Sequence, residues 1–347
     1  MKKQMVFGAF PCIVVFALAG TGCRPGGGPR SSKTVCVYTS VDKIFGEPIC
    51  DKFRKETGIE VLLVTDTEET KSTGLLNRLI AERNRPQADV FWSGDPVRAA
   101  VLKLKGIAAP YKSPQAKGLP PQYSDPEGYW TGFSARARVM IYNKNLVPEG
   151  SKPRSVFDLA DPRFRGKAAI ANPLFGTTSM HAAALFLALG EKKAEAFFRS
   201  LTENKVAVLS SNGEVRRRVA AGEYAIGLTD TDDAHVAIVE GKPIGVVYPD
   251  ADGMGTLIVP NAVVLIGGGP HPEAGKRFTD FLLRPETELA LAESEAAQMP
   301  LRPGLKIPEG MTPVSALRPM QVDYGKLAAK LEELLQGFLK KWVEESR

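Results

Sequence analysis

The stretch Val35-Cys36-Val37-Tyr38-Thr39-Ser40-Val41-Asp42 decides the fold. It begins as a short, continuous apolar run, which predicts a buried strand. The run breaks at Ser40-Val41-Asp42 into a helix expected from about Phe45 to Thr57, which Gly58 stops. The pattern then repeats. Ile59-Glu60-Val61-Leu62-Leu63-Val64 reads as a second strand, and 66–73 as a polar loop that contains Thr67. Leu75 to Arg83 reads as a helix, with apolar spacing at Leu75, Leu76, Leu79 and Ile80. Ala88-Asp89-Val90-Phe91-Trp92-Ser93 is a third strand, followed by Gly94-Asp95 and by Pro96, which suits the first position of a helix. Strands alternating with helices predict a parallel sheet with helices on its faces. In such sheets ligands bind beyond the carboxyl ends of the strands, and Ser40, Asp42, Ser93 and Asp95 sit at such ends.

Two long extended runs lie further along, Trp130 to Tyr142 and Thr256 to Ile266, each long enough to cross from one lobe to another. Between them, Gly227-Leu228-Thr229-Asp230-Thr231-Asp232-Asp233-Ala234-His235 follows a short apolar strand and crowds three carboxylates into four positions. Like charges this close repel, and a desolvated carboxylate needs a partner. The stretch is therefore either an acidic helix start or the wall of a binding cleft. Gly176-Thr177-Thr178-Ser179 precedes an apolar helix from His181 to Leu189. There, free backbone N–H groups and hydroxyls make an anion site; an ordinary Ser/Thr cap reads the same way. Ser210-Ser211-Asn212-Gly213 is a turn before a helix from Glu214 to Ala221, and a last amphipathic helix is expected from about Tyr324 to Glu345.

A chain of 347 residues suggests two domains, or one with two lobes. With 44% hydrophobic and 24% charged residues it has the composition of a soluble globular protein. The net charge of +6 is interspersed, and its longest basic run, Arg216-Arg217-Arg218, fits one solvated helix turn, so no nucleic-acid stripe is expected. Met1-Lys2-Lys3, the apolar 6–19 and Leu18-Ala19-Gly20-Thr21-Gly22-Cys23 read as a secretory signal, residues 1–23. A Cys after small residues resembles the bacterial lipoprotein signal, which makes Cys23 the expected lipid anchor and the Gly/Pro/Ser-rich 24–33 a tether. Cys36 and Cys50 remain in the exported part, as a disulfide or as two buried thiols. The three histidines are scattered without zinc spacing, and no phosphate loop or nucleophile elbow occurs. A binder rather than an enzyme, without a cofactor, is expected.

Several segments together resemble a known family. These are Val35 to Lys43, Phe53 to Val61, Ala88 to Ser93, Ser134 to Tyr142, and Leu265-Ile266 through Ala297-Gln298-Met299-Pro300-Leu301-Arg302-Pro303. They are similar to the ferric-iron-binding periplasmic proteins, extracellular solute-binding proteins that feed ABC importers. The resemblance covers about 34 to 305. It implies an α/β, two-lobed periplasmic binding protein of type II-like architecture, with two extended crossover strands as the hinge. Lobe 1 would comprise 34–133 and 266–305, lobe 2 134–265, and 306–347 a C-terminal helical segment. The implied partners are a small-molecule or metal ligand, the permease subunits of an ABC transporter, and the membrane through the lipid anchor of a periplasmic or cell-surface monomer.

That family holds iron with a tyrosine pair, a histidine and often a glutamate. Here Thr231 and Asp232 stand at the tyrosines, Asp42 at the histidine, and Gly94, beside Asp95, at the glutamate. The anion segment, by contrast, matches Gly176-Thr177-Thr178-Ser179. Similar sequences without the tyrosines include binders of sugar phosphates and aminoalkylphosphonates. The expected ligand is thus an oxyanion-bearing solute that also carries an amine or hydroxyls. Ser40, Asp42, Thr67, Ser93, Thr177, Thr178, Ser179, Asn212, Asp230, Thr231 and Asp232 are its expected contacts. No metal is expected; the alternative is a hard cation on Asp42, Asp230 and Asp232 with a bound anion.

Overall fold

A computed structural model describes residues 33–66 and 73–346. Thr67 and the anchor residue Cys23 therefore lie outside the described residues, as does the signal and tether region. The first half follows the predicted alternation: β1 (Thr34–Thr39), α1 (Lys43–Thr57), β2 (Glu60–Thr65), α2 (Thr73–Ala81), β3 (Val90–Ser93), α3 (Pro96–Leu104) and the short β4 (Ala108–Ala109). β1 is parallel to β2 and to β3. α1 starts at Lys43, two residues before the expected Phe45, with Asp42 at the N-cap position. It ends at Gly58, whose φ of 69° is a left-handed conformation that suits a residue without Cβ. The Asp95 carboxylate caps α3, accepting from the Val97 and Arg98 amides at 3.0 and 3.1 Å, with Pro96 at the first turn.

The second half holds β5 (Thr131–Asn143), β6 (Ala168–Ala171), α4 (Gly176–Leu189), α5 (Glu191–Glu203), β7 (Ala207–Leu209), α6 (Asn212–Ala220), β8 (Ile226–Asp230), α7 (Thr231–Val239), β9 (Ile244–Val247) and β10 (Ile258–Ile266). β6 runs parallel to both β7 and β8. α8 (Pro272–Leu282) and α9 (Pro285–Glu293) pack back on the first sheet. The expected single C-terminal helix is two, α10 (Tyr324–Gln336) and α11 (Phe338–Glu345), broken at Gly337. α10 packs against both α3 and α4.

The two long strands join the two sheets. β5 pairs with β10 through its first half and with β8 and β9 through its second. β10 pairs with β3 and β4 through its last residues. The molecule is thus an α/β protein of two lobes, crossed by two extended strands. The β5–β10 register slips between Pro260 and Asn261, where Ala135 and Phe133 are the successive partners. Ser134, left over between them, has a φ of 39°. A strand residue inserted this way is a bulge, which bends its strand.

Two apolar clusters sit under these sheets. In one, Phe53 of α1 meets Phe278 and Phe281 of α8 edge-on, at ring separations of 5.0 and 5.2 Å. In the other, Phe186, Phe198, Phe338 and Trp342 tie α4 and α5 to the C-terminal helices. The open question of a disulfide is answered by two free thiols: Cys36 and Cys50 are both buried, and burial pushes them up to about 11 and about 12.

Candidate functional site

The carboxyl ends of both parallel sheets face one cavity of about 310 Å³. The first sheet contributes Ser40, Asp42 and Gly94; the second contributes Asn172, the 210–213 turn, Asp230 and Asp232. β5 adds Arg136 from the crossing, and Gly176, Thr177 and Thr178 open α4 at its edge.

Arg138 organises the floor. Its side chain is 0% exposed. Nη1 donates to Asp230 Oδ1 at 2.7 Å, to Thr177 Oγ1 at 2.9 Å and to Asn212 Oδ1 at 3.1 Å, while Nη2 donates to Thr178 Oγ1 at 3.2 Å. The other Asp230 oxygen, Oδ2, accepts from Thr177 Oγ1 at 2.7 Å and from Asn212 Nδ2 at 3.2 Å. Burial alone would raise the Asp230 carboxyl, but the Arg138 and Arg136 charges, helped by the Thr177 hydroxyl, hold it below the usual carboxylate range. His181, in the next turn of α4, is pushed down to about 3 by burial and by the Arg138 charge, which Asp230 only partly offsets.

Arg136 lies two residues before Arg138 in the strand, hence on the same face. It is 9% exposed and lines the cavity. Nη2 donates to the Gly94 carbonyl. Nη1 lies 3.6 Å from Asp232 Oδ2 and 3.7 Å from Asp230 Oδ2, within ion-pair range but beyond a hydrogen bond. Burial would lower the guanidinium; Asp232, Asp230, Asp42 and Asp95 together raise it, so it stays charged. Its Nε has no hydrogen-bond partner among the described residues. A Cβ at Gly94 would stand 3.3 Å from Arg136 Nη2, so the glycine leaves room for the guanidinium.

The structure brings Ser40, Asp42, Thr177, Thr178, Asn212, Asp230 and Asp232 to the cavity. Three other expected contacts lie behind its wall. The Ser93 Oγ accepts from the Asp95 amide at 3.3 Å. Ser179 Oγ donates to Gly176 O at 2.7 Å and accepts from Arg98 Nη2 at 2.8 Å. Thr231 Oγ1 accepts from the Ala137 amide at 3.1 Å.

The roles also differ from the sequence reading. The Thr177 hydroxyl donates to Asp230 and accepts from Arg138 and Asn212 Nδ2, so it has no proton left for an anion. Thr178 donates to Asn212 Oδ1 at 3.3 Å. The N-cap of α4 is Phe175, with no side-chain cap, so neither threonine acts as the cap. What α4 offers an anion is the unpaired N–H groups of its first turn. Asp230 does not cap α7 with its side chain either; it is turned to Arg138. Arg216 and Arg217, expected on a solvated face, reach the cavity lining, whereas Arg218 pairs with Glu214 and Glu223.

Sequence reasoning missed Arg136 and Arg138. The signal was present: two arginines at i and i+2 in an otherwise apolar strand must find carboxylates, and Asp230 and Asp232 carry the same spacing. No tyrosine, histidine or cysteine lines the cavity among the described residues. Tyr38 instead donates to Glu82 at 3.0 Å. Oxygens of Asp230, Asp232 and Asp233 lie within 4.8 Å of one another, the one grouping among the described residues that could hold a cation.

Comparison with known proteins agrees with this architecture. Residues 85–312 match the family model of the bacterial extracellular solute-binding proteins. Iron uptake protein A1 of Synechocystis sp. is 29% identical over 281 residues, 77% of this chain and 75% of its own. A Salmonella typhimurium protein assigned provisionally as a 2-aminoethylphosphonate-binding periplasmic protein is 30% identical over 294 residues, 80% of each chain. The crystal structure of iron-bound HitA from Pseudomonas aeruginosa superposes with a TM-score of 0.79 at 23% identity, covering 87% of this chain and 98% of that one. Two lobes, two crossing strands and a cavity at the strand ends thus accompany a family match over most of the chain, and the chain belongs to the bacterial extracellular solute-binding proteins of the ferric-iron-binding type, the periplasmic substrate-binding components of ABC importers.

Proposed function

We propose that this protein captures a small, hydrophilic, oxyanion-bearing solute of the phosphorylated or phosphonate type and presents it to the permease of its importer. The observation that carries the reading is Arg136, a buried guanidinium on the cavity wall whose Nη1 stands beyond hydrogen-bond range of the nearest carboxylates. The first turn of α4 adds backbone N–H groups, and Arg216 and Arg217 add charge at the lining. Asp42 and Asp232 accept from an amine or from hydroxyls on the remainder of the solute. Asp230, Thr177 and Asn212 hold Arg138 and shape the floor. The relative assigned to 2-aminoethylphosphonate supports a ligand with both signs of charge. In this reading the protein works as a monomer, anchored through Cys23, and carries out no catalysis.

The second reading is ferric iron or another hard cation. It draws on the carboxylate grouping of Asp230, Asp232 and Asp233 and on the iron-uptake relative. Calorimetric titration separates the two. Purified protein should release heat with 2-aminoethylphosphonate or a hexose 6-phosphate, and none with ferric citrate. A saturable response to ferric citrate alone would return the protein to the iron binders. No red-purple phenolate band should accompany any ferric uptake, because Tyr38 is held by Glu82 outside the cavity.

A further inference from the structure

We propose that Arg136 sets the sign of the ligand: its guanidinium is a cation built into the chain at the centre of the cavity's carboxylates, and it shuts a bare metal ion out of the place they would otherwise offer. The inference rests on the oxyanion reading and adds to it the residue that enforces it.

The carboxylates alone would suit a hard ion. Asp230, Asp232 and Asp233 each offer an oxygen within 4.8 Å of the others, and hard cations take oxygen ligands at about 2.0–2.6 Å. An ion bridging Asp230 and Asp232 through their Oδ2 atoms would stand close to both. Arg136 Nη1 already faces that pair, at 3.7 and 3.6 Å. A metal placed there meets a like charge among side chains that are themselves largely buried, where screening is weaker than in bulk water.

The guanidinium cannot readily step aside. Nη2 is tied to the Gly94 carbonyl at the end of β3, and the missing side chain of Gly94 makes the room it occupies. Arg138 below it is committed to Asp230, Thr177, Thr178 and Asn212, so the floor already has its own counter-charge. Asp230 has both oxygens engaged. The acidic group therefore already has two guanidinium charges set among its carboxylates. An anion, by contrast, meets a charged group whose Nη1 lies beyond hydrogen-bond range of the Asp230 and Asp232 oxygens and so keeps donor capacity.

The test uses the purified protein, its Arg136→Met and Arg136→Lys variants, and terbium chloride as a hard-cation probe without a phosphate partner. Calorimetry should show no terbium uptake at the cavity in the parent. Arg136→Met should gain affinity of roughly tenfold or more, and Arg136→Lys, which keeps the charge, should behave like the parent. Adding Asp232→Asn to Arg136→Met should remove the gain. The proposal fails if the parent takes up terbium as tightly as Arg136→Met in a manner that Asp232→Asn abolishes. It also fails if Arg136→Met melts as a folded protein and gains nothing. Should Arg136→Met not fold, Arg136→Gln carries the same comparison. Parallel titration with 2-aminoethylphosphonate and a hexose 6-phosphate keeps the two ideas apart. If the parent binds neither, yet terbium enters only when Arg136 is gone, the oxyanion function falls and the role of Arg136 stands.

Discussion

Arg138 and Asp230 are each almost wholly removed from water, at 0% and 1% exposed. Removing one partner of such a pair leaves an uncompensated buried charge, which costs about 3–5 kcal/mol. Arg138→Met should therefore lower the unfolding free energy read by urea denaturation by that order and abolish solute binding. Adding Asp230→Leu should recover part of the stability and none of the binding; a loss under about 1 kcal/mol for Arg138→Met would contradict the geometry. His181 gives a second residue-scale expectation. Its folded value of about 3 lies below its ordinary 6.5, so the unfolded chain binds the extra proton between those limits. Stability from this group is complete above about pH 6.5 and drains as pH falls toward about 3, with a slope of at most about 1.4 kcal/mol per pH unit. Arg138 steepens that penalty and Asp230 eases it, while the lowered carboxyl of Asp230 contributes its own loss only below about pH 4. His181→Gln should flatten the stability profile between pH 4 and 6.5, read by urea unfolding at each pH. At this scale the sequence was half legible. Crowded charge marked Asp230 and Asp232 for the cavity wall, but which carboxylate meets which arginine depends on β5 lying beside β8, a long-range pairing no local pattern reports. The threonines carried a capping signature in the sequence, but Phe175 takes the N-cap position and Arg138 claims their hydroxyls.

Among the elements, β5 is the informative one. Its apolar run predicted a strand over 130–142, and the strand observed is Thr131–Asn143. The bulge within it was not legible, because Ser134 carries no glycine or proline signal. Its φ of 39° costs a non-glycine residue on the order of 1–3 kcal/mol. The Glu288 carboxylate offsets part of this by accepting from the Ser134 amide at 3.0 Å and the Leu301 amide at 2.8 Å. Ser134→Gly should therefore leave the melting temperature unchanged or raise it, and Ser134→Val, β-branched at a positive φ, should lower it by several degrees. Equal effects of the two substitutions would mean that the backbone there is not constrained. The C-terminal helix shows the opposite failure. Apolar spacing continued smoothly from Leu327 through Trp342, and periodicity alone could not reveal the break at Gly337.

For the whole molecule, two crossing strands and a cavity between two sheets predict hinge closure about a few residues near the β5 bulge. Small-angle scattering with and without 2-aminoethylphosphonate should show a smaller radius of gyration when the solute is bound. An unchanged radius at saturating solute would argue against a trap. The fold itself was the most legible part of the chain, since strand–helix alternation is a local signal repeated many times. The lobes' relation to one another was less so, because it rests on contacts such as Arg98, which joins Asp95 on α3 to Gly176 and Ser179 on α4.

The packing of α10 on both α3 and α4 bears on how long a captured solute stays. If the cavity opens only when α10 parts from one of those helices, the step that limits release lies far from the solute, and residence time can change with no contact to the ligand altered. The Lys105–Glu332 pair, 2.7 Å long and about one-third exposed, joins the end of α3 to α10. An exposed pair is worth at most about 1 kcal/mol, so Lys105→Ala should shorten the bound lifetime by no more than about fivefold. Stopped-flow displacement should show that change in the dissociation rate alone, with the encounter rate as in the parent; a change confined to encounter would place the limiting step at the cavity mouth instead.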